Sequence, residues 1–116
     1  MEIRDRVKEL RRVPAKDLIR NPHNWRKHPF TQQSALHGAL TEIGYADALI
    51  AYETDDGLQL IDGHLRAETT PDMEVPVLVV DLNETEANKL LATLDPLAAM
   101  AQTDLDAFLS LIANVE

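Results

Sequence analysis

Cysteine is absent from this chain. Disulfides, thiolate–zinc sites and cysteine-based catalysis are therefore excluded outright. Long apolar runs are also missing. None approaches the roughly 18 residues that a membrane-spanning helix needs, so no membrane association is expected. The charged opening Met1-Glu2-Ile3-Arg4-Asp5-Arg6 lacks the form of a signal peptide, and a cytoplasmic location is the expectation. Basic residues are scarce beyond position 30. Residues 1–30 hold nine of the 11 Lys and Arg but only four of the 20 acids, whereas residues 31–116 hold two basic residues and sixteen acids. An overall charge of −9 thus conceals a basic end and an acidic body. The basic end either meets an anion or folds back on its own chain. The acidic body argues against extensive non-specific wrapping of DNA, which requires a broad positive surface.

What is present is an ordinary globular composition, 45% apolar and 27% charged, in 116 residues, the length of one domain. Residues 1–10 read as a charged tail, a loose helix or disordered. A short strand over Arg11–Val13 ends at Pro14. A helical turn follows, anchored by Leu18 and Ile19. The proline- and asparagine-rich stretch from Asn21 to Pro29 is a loop, and its Trp25 is expected to lid the core. Leu36, Ala39, Leu40 and Ile43 recur at helical spacing and predict a helix over Thr31–Ile43, stopped by Gly44. Ala48–Tyr52 and Leu58–Ile61 form a hairpin with Asp-Gly at its turn. Val75–Asp81, apolar on both faces, predicts a central strand. Asn83 and Glu86 read as a reciprocal helix cap, and Ala87, Leu90, Leu91 and Leu94 as the stripe of a helix that Asp95-Pro96 breaks or restarts. Thr103 caps a last helix with Leu105, Phe108, Leu109 and Ile112 on its apolar face. The expected fold class is α+β, with a small mixed sheet of about four strands flanked by helices and followed by C-terminal helices. Residues 11–82 form its core and residues 83–116 a helical extension.

The stretch most suggestive of chemistry is Leu58-Gln59-Leu60-Ile61-Asp62-Gly63-His64-Leu65-Arg66-Ala67-Glu68-Thr69. It reads as a strand that passes through glycine into a helix kept short by Pro71. Helix starts carry unpaired N–H groups and attract anions, and glycine admits close backbone approach. Arg66 can clamp a phosphate or carboxylate through two parallel hydrogen bonds, or simply pair with Asp62 or Glu68. His64 is a ligand contact or a general acid/base, or a helix-start histidine bonded to Asp62. His64 and Glu68, four residues apart, can share a divalent metal in a nuclease reading, although no third ligand is identifiable. Asp62 reads as a helix cap before it reads as a catalyst. Asn24, Arg26, Lys27 and His28 form a basic loop that either approaches the same anion or is solvated.

Three pieces in order resemble the family that groups the N-terminal domain of the partition protein ParB with sulfiredoxin. They are Val13-Pro14 through Asn24-Trp25-Arg26, the helix ending at Gly44 with Leu49-Ile50, and Leu60-Ile61-Asp62-Gly63-His64-Leu65-Arg66-Ala67 leading to Val75-Pro76-Val77. The tail from Glu84 to Ala98 resembles the branch associated with DNA methyltransferases and phage proteins. The resemblance covers roughly residues 11–113. It implies a ParB/sulfiredoxin-like fold with nucleotide phosphates at the strand–glycine–helix junction: CTP in ParB, where it switches a clamp on DNA, and ATP in sulfiredoxin. A related serine kinase uses a nucleotide as phosphoryl donor. Carried over, Gly63 is the phosphate-loop glycine and Arg66 the phosphate-binding arginine. Asp62 and His64 stand in the same segment, with Asn24, Arg26 and Lys27 in support. His64 replaces the acid of ParB and the reactive cysteine of sulfiredoxin, and Leu65 replaces the first arginine of ParB's pair. Lacking cysteine, the chain is excluded from sulfiredoxin chemistry. No helix-turn-helix domain is legible, so sequence-specific DNA binding by this chain alone is not expected.

The implied ligand is CTP, ATP or ADP with Mg²⁺, and the implied partners are DNA reached indirectly, a DNA methyltransferase or a second copy. The preferred reading is a non-catalytic nucleotide-binding domain in a DNA-associated system. Its alternatives are a nucleotide-dependent small-molecule kinase, for which Asp62, Glu68 and Asp72 are available acids, a metal-dependent nuclease, or a protein-interaction module.

Overall fold

The computed structural model describes residues 2–22 and 30–100, the last six of these as backbone. The basic loop with Asn24, Trp25, Arg26, Lys27 and His28, and the helix expected from Thr103, lie outside the described residues.

Four strands form one mixed sheet. β1 (Val7–Pro14), β2 (Leu49–Thr54), β3 (Gly57–Asp62) and β4 (Glu74–Val80) lie in the order β1-β4-β2-β3. β4 is central, antiparallel to β1 and parallel to β2, while β2 and β3 are an antiparallel hairpin. This is the place its sequence demands. Val75, Val77 and Val79 are fully buried on one face, and Pro76, Leu78 and Val80 are half-buried on the other. The parallel β2–β4 pair needs a crossover, which β3 and the short helix α2 (His64–Thr69) provide.

One core joins the valine face of β4 with Leu49, Ala51, Leu58 and Leu60, and is covered by Ala67 of α2 and by Ala15 and Leu18 around a 3₁₀ turn at Ala15–Asp17. The second core lies under α3 (Glu84–Met100), where Ala87 and Leu91 pack on Tyr52 and Ile61, with Leu90 and Leu94 at the margin. The expected leucine stripe is therefore the docking face of α3. Its cap also forms as read: Asn83 Oδ1 accepts the Glu86 N–H at 2.8 Å, and Glu86 Oε1 accepts the Asn83 N–H at 3.1 Å.

Two expectations need correction. The first strand begins at Val7 rather than Arg11, so the tail reading of residues 1–10 gives way there. Tertiary partners order this charged segment: Arg6 donates to both Glu86 oxygens at 3.0 and 3.1 Å and to the Asp81 carbonyl, and Lys8 pairs with Glu53 at 2.6 Å. Asp95-Pro96 does not interrupt α3, whose backbone stays helical to Met100. Proline there forfeits one hydrogen bond, and the docked turns before it carry the helix through. The helix expected over Thr31–Ile43 forms as α1 (Phe30–Glu42), yet it buries no residue. Its stripe is only half-covered at Leu36 and Leu40, and Ile43 is 68% exposed. Gly44, at φ 96°, stops the helix as expected.

Candidate functional site

β3 delivers the chain to Gly63, which has φ 100° and ψ 20°, the left-handed region, before α2 begins. A Cβ on Gly63 would lie 2.6 Å from Leu49 Cγ, 3.1 Å from Leu49 Cβ and 3.2 Å from Arg66 Nη2. Glycine is thus required twice, by backbone conformation and by the packing of a fully buried leucine. The room left by the missing side chain is taken on one side by Leu49 and on the other by the Arg66 guanidinium. α2 has six residues, too few for its dipole to dominate. Among the described residues, the positive charge of the site is that of Arg66.

Arg66 is held at both ends. Its side chain is 17% exposed, with Nη1 3.3 Å from Asp47 Oδ2 and Nη2 3.7 Å from Asp62 Oδ2. Asp47 is fixed in turn, because its Oδ1 accepts the Ala48 N–H at 2.8 Å. The Arg66 carbonyl accepts bonds from the hydroxyls of Tyr45 and Thr70, each at 3.0 Å, and the two hydroxyls are 2.5 Å apart. Tyr45 and Asp47 both belong to the link between α1 and β2, so that link sets the backbone and the charged end of Arg66 together. An open cleft of about 250 Å³ lies between the uncovered stripe of α1 and this link, with Leu36, Leu40, Tyr45, Asp47 and Arg66 in its lining.

The other candidates diverge. His64 is buried, 6% exposed, and its Nε2 accepts the Asn21 N–H at 3.1 Å. That bond makes the ring a neutral Nδ1–H tautomer. The position of Asn21 follows from Ile19, whose N–H donates to the Leu58 carbonyl at 2.8 Å and whose carbonyl accepts the Leu60 N–H at 2.9 Å. Glu68, one helical turn on, pairs with the exposed Arg20, the chain neighbour of Asn21. His64 and Glu68 are thus each engaged with a different partner, and no three His, Asp or Glu gather as a metal site among the described residues. Asp62 does not cap α2, since no side chain bonds the helix start. It sits beside Arg66 instead. Asn24, Arg26 and Lys27 are outside the described residues. Sequence reasoning missed Tyr45 and Asp47. Neither belongs to a periodic stripe, and only the turn at Gly44 aims them at α2.

No protein-family model matches the sequence, and no curated protein matches it. Solved structures do. The C-terminally truncated partition protein ParB from Caulobacter crescentus, complexed with CTP-gamma-S, superposes with TM-score 0.64 at 19% identity over 72% of this chain and 51% of that one. The same protein complexed to the centromeric parS site gives 0.53 at 21% identity, over 66% and 42%. Sulfiredoxin from Arabidopsis thaliana gives 0.59 at 13% identity, over 71% of this chain and 96% of that one. The chain spans about half the length of the first of these. Its own four-stranded mixed sheet runs in the order β1-β4-β2-β3, with α2 crossing one face and α3 on the other, and the chain has the ParB/sulfiredoxin-like fold.

Proposed function

We propose that this domain binds a nucleotide through its phosphates at Arg66, beside the Asp62-Gly63-His64 junction, and serves in a DNA-associated system without catalysing a reaction of its own. The observation that carries this reading is the placement of Arg66. Its backbone carbonyl is held by the Tyr45 hydroxyl and its guanidinium by Asp47, and the side chain, only 17% exposed, lines an open cleft of about 250 Å³ whose other wall is the apolar stripe of α1. A planar base suits the apolar wall and a phosphate suits the guanidinium. The cleft is small enough that much of a nucleotide would stay in solvent. The ParB structure with CTP-gamma-S supports a nucleotide as the class of ligand, and the parS complex supports a DNA-linked setting. CTP, ATP and ADP with Mg²⁺ are the ligands to try. Association with a methyltransferase rests on the resemblance of the tail alone.

The kinase and nuclease readings gain nothing from the geometry, because His64 is engaged with a backbone amide and Glu68 with Arg20. Calorimetric titration of CTP, ATP, ADP and GTP with Mg²⁺ tests the proposal. Wild type is expected to bind at least one of them, and Arg66→Ala to lose about tenfold or more, since hydrogen bonds to charged groups are each worth about 1.5–3 kcal/mol. Absence of binding at millimolar nucleotide would refute it and favour a protein-interaction role for the uncovered face of α1.

A further inference from the structure

We propose that Asp47 is a built-in competitor for the anion site, so that a phosphate must displace its carboxylate to engage Arg66. This inference rests on the phosphate reading of Arg66 given above.

The Arg66 guanidinium already faces more negative charge than it carries positive. Asp47 and Asp62 approach different terminal nitrogens, Nη1 at 3.3 Å and Nη2 at 3.7 Å, so both ends of the fork meet a carboxylate. Among the described residues, one arginine between two acids leaves a local charge of −1, which opposes an incoming anion. The guanidinium also lies over Gly63, where Nη2 would stand 3.2 Å from an added Cβ. Arg66 thus closes its own junction while the two acids hold it.

The acids are not equivalent. Asp62 ends β3 and has 35% of its side chain exposed, whereas Asp47 is 83% exposed and sits in the link before β2. Asp47 is also the acid that lines the cleft with Arg66. Its Oδ1 is oriented by the Ala48 N–H at 2.8 Å, which leaves Oδ2 aimed at Nη1. An anion entering from the cleft therefore meets Asp47 first. An exposed ion pair is weak, so Asp47 delays the site rather than sealing it. Once the phosphate is bound, the displaced carboxylate turns to solvent, and its negative charge continues to oppose the ligand. Affinity is accordingly set below what Arg66 alone would give, and anything that draws Asp47 away, a bound cation or a basic partner segment, raises it.

The test is calorimetric titration of CTP and of ATP, each with Mg²⁺ equimolar to the nucleotide so that no free cation is left for Asp47, into wild type, Asp47→Asn, Asp47→Ala and Arg66→Ala, at low and high sodium chloride. Asp47→Asn keeps the size of the side chain and removes the charge. It is expected to bind about 1.5- to 5-fold tighter than wild type at low salt, the range set by a screened, exposed carboxylate a few ångströms from the ligand. The advantage should shrink at high salt, where screening is shorter-ranged, and Asp47→Ala should behave likewise. Equal or weaker binding by Asp47→Asn, with wild type binding and Arg66→Ala not, would overturn the competitor role and leave the phosphate site standing. A gain that is insensitive to salt would also overturn it, since only an electrostatic competitor is screened. No binding by wild type or either Asp47 variant would remove both readings.

Discussion

Replacing Gly63 with alanine tests the foundation of the site, because a single methyl group meets two independent obstacles there. The backbone at φ 100° lies in the left-handed region, which costs an L-residue about 1–2 kcal/mol. The new Cβ would also stand 2.6 Å from Leu49 Cγ, and Leu49 is fully buried with no solvent to yield into. Overpacking of this kind costs about 1–3 kcal/mol. Together these give a loss of about 2–5 kcal/mol, a large part of the stability of a domain this size, typically about 5–15 kcal/mol. The assay is urea unfolding followed by circular dichroism, with Gly38→Ala as control. Gly38 lies inside α1 with nothing within 4 Å of an added Cβ, so alanine there should stabilise by about 0.5–1 kcal/mol. The double variant Gly63→Ala/Leu49→Ala separates the two terms: relief of the steric clash should make it less damaging than the sum of the single changes, by about 1–3 kcal/mol. A Gly63→Ala protein within about 0.5 kcal/mol of wild type would refute both the conformation of the junction and its contact with β2.

Two further outcomes follow from other contacts. Tyr45→Phe removes a hydroxyl that donates to the Arg66 carbonyl and meets Thr70, and should cost about 1 kcal/mol in the same unfolding assay. Its nucleotide affinity should fall as well if the anchored Arg66 is the phosphate ligand. The Glu86 carboxyl is held down to about 2, first by its hydrogen bonds from Arg6 and then by the Asn83 N–H. A carboxyl depressed on folding contributes stability that is fully present above its ordinary value near 4.5 and is lost as pH falls towards 2. The urea midpoints of wild type and Glu86→Gln should therefore differ at pH 6 and converge between about 4.5 and 2; a constant gap across that range would contradict the role of the Arg6–Glu86 pair.

Elements whose pattern reports a local need are legible in the amino-acid sequence. β4 is apolar at every position from Val75 to Val80, and it is central. Asn83 and Glu86 sit three apart, and they cap α3 reciprocally. Thr54 to Gly57 turns the hairpin, although Asp55 and Asp56 make the loop and Gly57 is already paired with Thr54. The failures have a common cause. Residues 7–10 mix charged and apolar side chains without a buried face, and pairing with β4, with Lys8 held by Glu53, makes them strand. The stripe of α1 has the spacing of a core helix, yet spacing cannot say whether another element comes to cover it.

The same division runs through the site. Sequence alone determined that Asp62-Gly63 ends a strand and starts a short helix, that Arg66 is the cation nearest this junction, and that no thiol chemistry is available, since these depend on residue type and neighbours along the chain. Tertiary structure decided what Arg66 and His64 touch. Tyr45 and Asp47 come from some twenty residues upstream, and Asn21 from more than forty, because the link after Gly44 and the strand-like segment at Ile19 fold onto α2 and β3. The free energy that places them comes from burying Leu49, Leu60 and the valines of β4, apolar side chains that carry no charge themselves. Local sequence specifies which groups can react to an anion; the packing of the core specifies which of them face one another.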